Sequence, residues 1–510
     1  MNNISTTNTN DNTKIKKFLI PILILAAVTA AVYFGNYYNH YGYYYDYKEI
    51  VSNEYVNPSV TDVKTLFTKL ESFHFYVPLK HLANYVLNHF SFLNPHISHL
   101  FSDFLHIFNV ILCYLLIIKL SKSYRVAFLT ALMFAVSPVG SNAVNEIAAR
   151  GHLFTAFFGM LSFYMYILSD TKGLKKNQDL FFVALAVVFY IIGLFFWTTI
   201  IVLPLLFVIY EFIKDQRLTA KRISLRISPF LSKAFGILLI TVYASYLSNK
   251  LQAGIAFDNS LVFSLNLFGW ESFYKIPTLI ANYITYCFVP PSFDIIFAPP
   301  LPDLFQAPLK YILAFAVLAL YSYACVYIYK KDKSLIPGVA IFAVFLLPGL
   351  IFMHKAEPVS LRYMYPASMG IFFMVFVLLE NLVWNRSNVS KALKITCVCI
   401  LAGWFVFAAT NTYLRKYDWK NPETVTNAMI KSGNIAEVWG WFLKTHWETD
   451  NNLNKEYLLK AKEALEKNKN CYNFQCDLID QNITERSEYI DALNNDYELQ
   501  MTNDESKTKK

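Results

Sequence analysis

Three short polar stretches interrupt an otherwise apolar chain, and each holds residue types able to do chemistry. The first reads Tyr43-Tyr44-Tyr45-Asp46-Tyr47-Lys48-Glu49. Asp46 lies among aromatics a few residues past an apolar run. A carboxylate there is placed to take a proton from a hydroxyl as a general base; the plainer reading is a solvated loop acid ringed by interfacial tyrosines. The second stretch reads Asn145-Glu146-Ile147-Ala148-Ala149-Arg150-Gly151-His152. Arg150 carries the planar donor fork that suits a phosphate. It also follows Glu146 at the spacing of an ion pair, if the turn is helical. The third stretch runs from His354 to Pro366 and contains Glu357, Arg362 and Tyr363. Arg362 either snorkels to lipid headgroups or joins Arg150 in holding a phosphate or pyrophosphate. Pro290-Pro291-Ser292-Phe293-Asp294 offers such a site part of a wall, and Tyr47, Glu49, His152, Asp294, Glu357 and Tyr363 complete the candidates.

The elements that position these stretches are membrane spans. Hydrophobic residues make up 55% of the chain and charged residues only 16%, where a soluble protein carries nearer a quarter charged. Apolar runs fall at 18–38, 100–119, 125–142, 153–169, 179–196, 198–213, 230–248, 309–329, 335–353, 363–383 and 395–413. Each is near the ~20 residues that a spanning helix needs, so about eleven spans are expected in an all-α polytopic bundle. The first run follows Lys14, Lys16 and Lys17 and lacks a small-x-small cleavage site, which reads as an uncleaved signal anchor. The run at 276–290 ends at Pro290-Pro291 and reads as re-entrant or interfacial.

The net charge of +9 is a topology signal, not a nucleic-acid footprint, because the basic residues sit in short loops. With residues 1–17 cytoplasmic, alternate loops hold Lys119, Lys122 and Arg125; Lys172, Lys175 and Lys176; Lys214, Arg217, Lys221, Arg222 and Arg226; Lys330, Lys331 and Lys333; Arg386, Lys391 and Lys394. The opposite loops hold fewer, as the positive-inside rule expects. Asp46, Arg150 and Arg362 then share the non-cytoplasmic side. The long loops 39–98 and 249–308 lie on that side too, as does the tail 414–510. Long ordered loops tend to carry function. The tail is polar, with Trp439, Trp441, Phe442 and Trp447 in its first half and helical spacing over Glu456–Leu465, so a small helical domain of two to four helices is expected. From about Thr502 its composition suits disorder. Cys113, Cys287, Cys325, Cys397 and Cys399 read as buried small hydrophobes, and an external tail is compatible with a Cys471–Cys476 disulfide. No zinc ligand set, Walker loop, dinucleotide fingerprint, nucleophile elbow or His-Glu-x-x-His motif is present, so no metal or cofactor is expected. The spans also lack a ladder of internal charges, which favours chemistry at the membrane surface over transport through it.

The order of motifs resembles the membrane glycosyltransferases of the C-type fold that carry tetratricopeptide repeats, the O-mannosyltransferase-like proteins. The residues that carry the resemblance are Asp46; Ile50-Val51-Ser52-Asn53-Glu54-Tyr55-Val56; Tyr76-Val77-Pro78-Leu79; Leu105-His106-Ile107-Phe108-Asn109; Ser137-Pro138-Val139; Ala149-Arg150-Gly151-His152-Leu153; Leu203-Pro204-Leu205-Leu206; and Arg362-Tyr363-Met364-Tyr365-Pro366. The resemblance runs over about 40–465 and implies a GT-C-like bundle. It also implies transfer of a sugar from a polyprenyl-phosphate carrier to a hydroxyl of a protein or glycan outside the cytoplasm. It assigns Asp46 as the first-loop acid and Arg150 and Arg362 as phosphate ligands. Tyr417-Asp418-Trp419-Lys420-Asn421-Pro422 is similar to the junction with a repeat domain, and one or two degenerate repeats would follow. The chain departs from the pattern where a second first-loop acid is usual, where an Asp usually follows the arginine, and at Phe196-Trp197, where a Lys-Glu pair is usual. Leu361 stands where a Glu usually precedes the Arg-Tyr pair. The expectation is an integral multi-pass transferase of a bacterial inner membrane with a periplasmic C-terminus. The alternatives are a non-catalytic membrane protein whose tail binds a protein partner, or a polysaccharide polymerase, ligase or lipid transporter.

Overall fold

The computed structural model describes residues 5–42, 46, 50, 56, 59, 63–68, 76–169, 176–214, 227–231, 236, 270–289, 308–331, 333–353, 361–446, 448–467 and 480–490. Every regular element among them is helical. In order these are α1 (Ser5–Tyr33), α2 (Val63–Thr68), α3 (Pro78–Ser91), α4 (Pro95–Ser121), α5 (Tyr124–Val136), α6 (Ser141–Asn145), α7 (Arg150–Leu168), α8 (Lys176–Phe196) and α9 (Leu203–Lys214). There follow α10 (Trp270–Tyr286), α11 (Pro308–Lys331), α12 (Ile336–Met353), α13 (Met364–Leu379), α14 (Lys391–Arg415), α15 (Pro422–Ser432), α16 (Asn434–Lys444) and α17 (Asn451–Lys467).

Among the described residues, seven stretches are long and apolar enough to cross a membrane: Phe18–Tyr38, Pro95–Ser121, Arg150–Leu168, Gln178–Phe196, Lys333–Leu350, Leu361–Trp384 and Lys391–Arg415. An eighth arises if Tyr124–Val136 and Pro138–Asn145, bent by 52°, count as one span. The bend falls at Ser137-Pro138, where the proline has no N–H to continue a helix. The protein is therefore a multi-pass membrane helix bundle, and the expected eleven spans have seven or eight counterparts among the described residues. The run at 198–213 is a 3-10 turn (Thr198–Val202) followed by the short α9. The run at 309–329 is α11, whose apolar stretch Tyr311–Tyr323 is short. Most of 230–248 lies outside the described residues, as do most of the loop 249–308 and the segment Pro290–Asp294. Before it, α10 is a 17-residue helix that buries Leu279, Ala281 and Tyr283, which fits a segment packed against the bundle.

The helix starts are written locally. Asn94 and Ser123 cap α4 and α5 by accepting from His96 N and Val126 N, with Pro95 at the first position of α4. Ser390 caps α14 in the same way through Leu393 N. The core lies between α4, α5, α7, α12 and α13, and α13 is buried on nearly every face from Met364 to Met374. In contrast α14 turns Leu393, Ile395, Val398, Ile400 and Val406 outward, the pattern of a helix facing lipid. At one end of the bundle the turn Lys122–Ser123 meets the end of α13: Arg125 pairs with Glu380 at 3.3 Å and stacks over Trp384, while Lys394 donates to the Trp384 and Arg386 carbonyls. At the other end Asn36, Asn145, Arg150, Trp197, Arg362 and Arg415 gather, each where a span begins or ends.

Past the membrane, α15, α16 and α17 form a small helical unit with residues 480–490. Its core contains Trp419, Val425, Met429, Val438, Phe442, Leu443, Leu458, Ala461, Ile483 and Ile490. Asn421 opens it with a capping box through Thr424, and Pro422 follows at the first helical position. Trp447, Cys471, Cys476 and everything from Asp491 lie outside the described residues.

Helices in lipid have no apolar driving force of their own and approach closely only where side chains are small. The α12–α13 contact uses this. A Cβ on Gly370 would stand 2.4 Å from the Gly338 carbonyl oxygen and 2.6 Å from Phe342 N, both backbone atoms that cannot swing aside. Gly370→Val should destabilise the detergent-solubilised protein by roughly 2 kcal/mol, at the level expected for overpacking. Gly403→Val on α14, where a Cβ meets nothing within 4 Å, should leave the unfolding midpoint unchanged. Equal midpoints for the two variants would contradict the close α12–α13 packing.

Candidate functional site at the loop between α6 and α7

The segment 145–152 is the hub of the candidate site. The chain leaves α6 at Glu146 in extended conformation (φ −82°, ψ 113°), turns through Ile147–Ala149 and re-enters helix at Arg150. Because the helix is interrupted, Glu146 and Arg150 are not neighbours on one face, and the i,i+4 ion pair offered by their spacing does not form. Each finds another partner. Glu146 is fully buried and lies 3.4 Å from Arg362 Nη1 through both carboxylate oxygens, and Asn142 Nδ2 donates to Oε2 at 3.0 Å. Arg150 is 1% exposed. Its Nε donates to Ser102 Oγ (3.1 Å), Nη1 to Asn84 Oδ1 (2.8 Å) and Nη2 to the Ser98 carbonyl (2.9 Å), with Phe101 against its face. Arg150 thus ties α7 to α3 and α4, and each of its guanidinium nitrogens is engaged within the protein. Arg362 neither snorkels nor stands alone: its side chain is 12% exposed and paired to Glu146.

Asp46 is also fully buried, and Oδ1 accepts from Ala148 N at 2.7 Å. The solvated-acid reading of Asp46 therefore does not hold. The carboxylate is drawn down onto the 145–150 turn, so the first loop and the α6–α7 loop meet at that hydrogen bond. Tyr41 lies close by: burial, then the charge of Asp46, push its phenol up to about 12, and it donates to the Leu93 carbonyl at 3.1 Å. Leu93 and Phe92 both adopt positive φ (61° and 52°) in the turn that joins α3 to α4. That turn sets the antiparallel path by which Asn84 and Ser98 reach one guanidinium.

His152 is buried beside two rings, Trp197 at 5.6 Å and Tyr363 at 5.0 Å. His152 and Tyr363, with Thr155, Thr199, Phe345, Pro348 and Pro366, line a small cleft between the start of α7 and α12 and α13. Among its lining residues, the hydroxyls of Thr155 and Thr199 lie 3.1 Å apart. The structure therefore brings together Asp46, Arg150, His152, Arg362 and Tyr363. Tyr47, Glu49, Asp294 and Glu357 lie outside the described residues.

Sequence reasoning missed four participants. Glu146 entered only as a partner for Arg150. Lys80 belongs to no motif, yet it is 1% exposed with Nζ 4.8 Å from the Trp197 ring centre. Asp103 and Asn36 were not marked. Asn36 Nδ2 donates both to Asp103 Oδ1 (3.0 Å) and to Asn145 Oδ1 (2.8 Å). The available signal for Asn36 and Asp103 was a polar residue inside or at the end of an apolar run, which in lipid calls for a partner.

No family model matches the chain. Over 231 residues it is 26% identical to the protein O-mannosyl-transferase TMTC3 of Mus musculus, which covers 42% of this chain and 22% of that protein. The chain thus spans about a fifth of the length of this curated relative. Among solved structures, the archaeal oligosaccharyltransferase AglB from Archaeoglobus fulgidus, in complex with an inhibitory peptide and a dolichol-phosphate, aligns with a TM-score of 0.46 at 14% identity. That alignment covers 86% of this chain and 60% of the other. The apo form of the Archaeoglobus fulgidus oligosaccharyltransferase aligns with a TM-score of 0.47 at 12% identity, covering 86% and 61%. The chain is similar to membrane glycosyltransferases, in agreement with the resemblance read from its motif order.

The Glu146–Arg362 pair gives this site a measurable signature. Removing one member of a buried pair leaves the other charge without compensation, at a cost of about 3 kcal/mol. Arg362→Met should therefore lower the unfolding free energy by that amount, whereas the double variant Glu146→Gln/Arg362→Met should lose much less than the sum of the two single losses. Additive losses in thermal unfolding would mean that the pair is not coupled.

Proposed function

We propose that this protein is a membrane glycosyltransferase of the C-type fold. It moves a sugar from a polyprenyl-phosphate donor to a hydroxyl of a protein or glycan at the non-cytoplasmic face of the membrane. The observation that carries the reading is the joining of a buried carboxylate, Asp46, to the loop that also holds Glu146, beside Arg362 at one end of the bundle. The mouse relative and the motif order support the same chemistry.

In this reading Asp46 accepts the proton of the acceptor hydroxyl while that oxygen attacks the anomeric carbon. The bond from the anomeric carbon to the phosphate oxygen breaks, and polyprenyl phosphate leaves with the bonding pair. Phosphate leaves without being protonated, so one base suffices, unlike the acid–base pair of a glycoside hydrolase. Arg362 is the donor's phosphate contact, and Glu146 holds its guanidinium in place. Arg150 acts at one remove: its hydrogen bonds fix the start of α7 and with it the turn that carries Ala148 N. The membrane is a bacterial inner membrane, with the N-terminus cytoplasmic and the tail periplasmic, and the tail's helical hairpins present the surface of a degenerate repeat to a protein partner or acceptor.

Asp46→Asn removes the base but keeps the shape of the carboxylate. Transfer from a defined polyprenyl-phosphate sugar should fall by about 10²-fold or more at normal expression and unchanged melting midpoint, with products followed by mass spectrometry. Wild-type turnover in Asp46→Asn would sink the assignment. Turnover of an undecaprenyl-pyrophosphate glycan instead would identify a polymerase or ligase.

A further inference from the structure

The helix α3 is inside out by the standard of a helix in water. Its polar residues Lys80, His81, Asn84, Asn88 and Ser91 are all buried. His81, Asn84, Asn88 and Ser91 recur at helical spacing and so share one face. That face is turned to the protein: Asn84 Oδ1 accepts from Arg150 Nη1, and Asn88 Nδ2 donates to the Val56 carbonyl at 3.0 Å. The opposite face carries Leu79, Leu82, Val86 and Phe90, also at helical spacing. Val86 is exposed there, and Phe90 is 75% exposed. Apart from its histidines the helix has one charged residue, Lys80, and that side chain is among the buried ones. A helix facing water presents charge outward and apolar residues inward; α3 does the reverse.

The outward face does not end with the helix. α3 passes into α4 through Phe92 and Leu93, both at positive φ, a region that a bulky side chain enters at steric cost. The turn is held by Tyr41, whose hydroxyl donates to the Leu93 carbonyl, and by Asn94 N, which donates to the Ser91 carbonyl at 3.0 Å. Phe92 is left 91% exposed. Down α4 the exposed residues Ile97, Leu100, Phe104 and Phe108 follow at helical spacing. Because α4 is long and apolar enough to cross a membrane, this stripe meets lipid, and the apolar face of α3 continues it. Exposed aromatics mark the same end on other spans: Phe34, Tyr37 and Tyr38 after α1, and Tyr413 and Tyr417 at the end of α14. Tyr37 stands 5.4 Å from His96 in the first turn of α4. Tyrosines gathered where spans end mark a membrane–water boundary.

We propose that α3 is an interfacial helix, lying in the surface of the bilayer with Val86, Phe90 and Phe92 among lipid acyl chains and its polar face turned to the protein. At 14 residues it is too short to cross, since a span needs ~20. The bilayer is its partner because the outward face is continuous with a spanning helix and offers no charge with which to meet a soluble protein. The consequence is positional. The helix that touches lipid on one side holds Arg150 on the other through Asn84, so the start of α7 is seated at the depth of the lipid head groups. The inference rests on the membrane-bundle fold and not on the sugar-transfer reading.

The test is photocrosslinking of the full-length protein in vesicles of phosphatidylcholine and phosphatidylglycerol. p-Benzoylphenylalanine replaces Phe90, Phe92, Phe108 on α4 or Leu459 in the tail, all of them exposed positions. After irradiation, mass spectrometry of the peptides should find lipid adducts at Phe90 and Phe92 as at Phe108, and none at Leu459. A lipid adduct missing at Phe90 or at Phe92 while Phe108 gives one overturns the proposal, whether the probe then reacts with nothing, with another segment of this chain or with a second copy. If the substituted proteins do not fold, the wild type decides. A diazirine carried on a lipid acyl chain should label the peptide that holds Val86, Phe90 and Phe92 in preference to a water-soluble diazirine, and the opposite preference overturns the proposal. Sugar transfer is not read in either experiment, so their failure leaves the donor reading standing.

Discussion

A guanidinium taken out of water has to find an acceptor for its N–H groups, and Arg150 finds three on two helices, Asn84 on α3 and Ser98 and Ser102 on α4. Losing one of these acceptors would leave a buried donor beside a buried charge, a larger cost than the hydrogen bond itself contributes. The arrangement therefore fixes the start of α7 relative to two helices whose own connection is constrained by consecutive positive-φ residues. Everything at the polar end is referred to that start. The turn before it offers Ala148 N to Asp46, the residue after it is the glycine that admits Trp197, and the next is His152. The guanidinium is a scaffold because its donors are spent inside the protein.

A second polar network lies deeper and sets which helices face one another. His106 Nε2 lies 3.3 Å from the Ala135 carbonyl, an atom that only accepts, so that nitrogen carries the proton. Nδ1 is then the acceptor for the Tyr365 hydroxyl at 2.7 Å. Asn109 Nδ2 donates to the same hydroxyl and to the Leu153 carbonyl. One neutral tautomer satisfies all of these contacts and joins α4, α5, α7 and α13. In an apolar bundle, where side chains of similar size can exchange places at small cost, such a network selects one packing. Its consequence for the site is register: α13 cannot rotate without breaking the Tyr365 bonds, and Arg362 lies at the head of that helix.

How much of this was legible in the sequence depends on the range of the interaction. Spans came from run length, a local property; the caps Asn94, Ser123 and Ser390 are equally local but were not read from the sequence. The clustering of Asp46, Arg150 and Arg362 at one end followed from counting crossings. What failed was pairing. Glu146 and Arg150 have the right spacing for a helical ion pair, but spacing says nothing of the interruption at Ile147–Ala149 that separates them. Lys80 looked like any loop lysine because Trp197, which explains its burial, is brought to it only by tertiary packing. Phe196-Trp197 read as the loss of a charged pair, whereas the indole is the platform on which a cation from another helix rests.

The same logic extends to the tail. The first segment beyond α1 does not run free over the membrane: His40 N donates to the Lys420 carbonyl at 2.8 Å, and Asn39 Nδ2 to the Lys416 carbonyl. Lys416 Nζ in turn donates to the Phe34 carbonyl and lies over the ring of Tyr413. Three residues before His40 in that segment's path, at Tyr37, the chain has just left Asn36, which is bonded to Asn145, the neighbour of Glu146. A continuous set of hydrogen bonds therefore leads from the end of α14 through residues 34–40 to the loop that holds the Glu146–Arg362 pair. Trp419, which closes this junction, belongs to the core of the helical tail unit. The tail is consequently not a separate module on a tether. Its first turn shares hydrogen bonds with residues 34–40, and through Asn36 these reach Asn145 beside the Glu146–Arg362 pair.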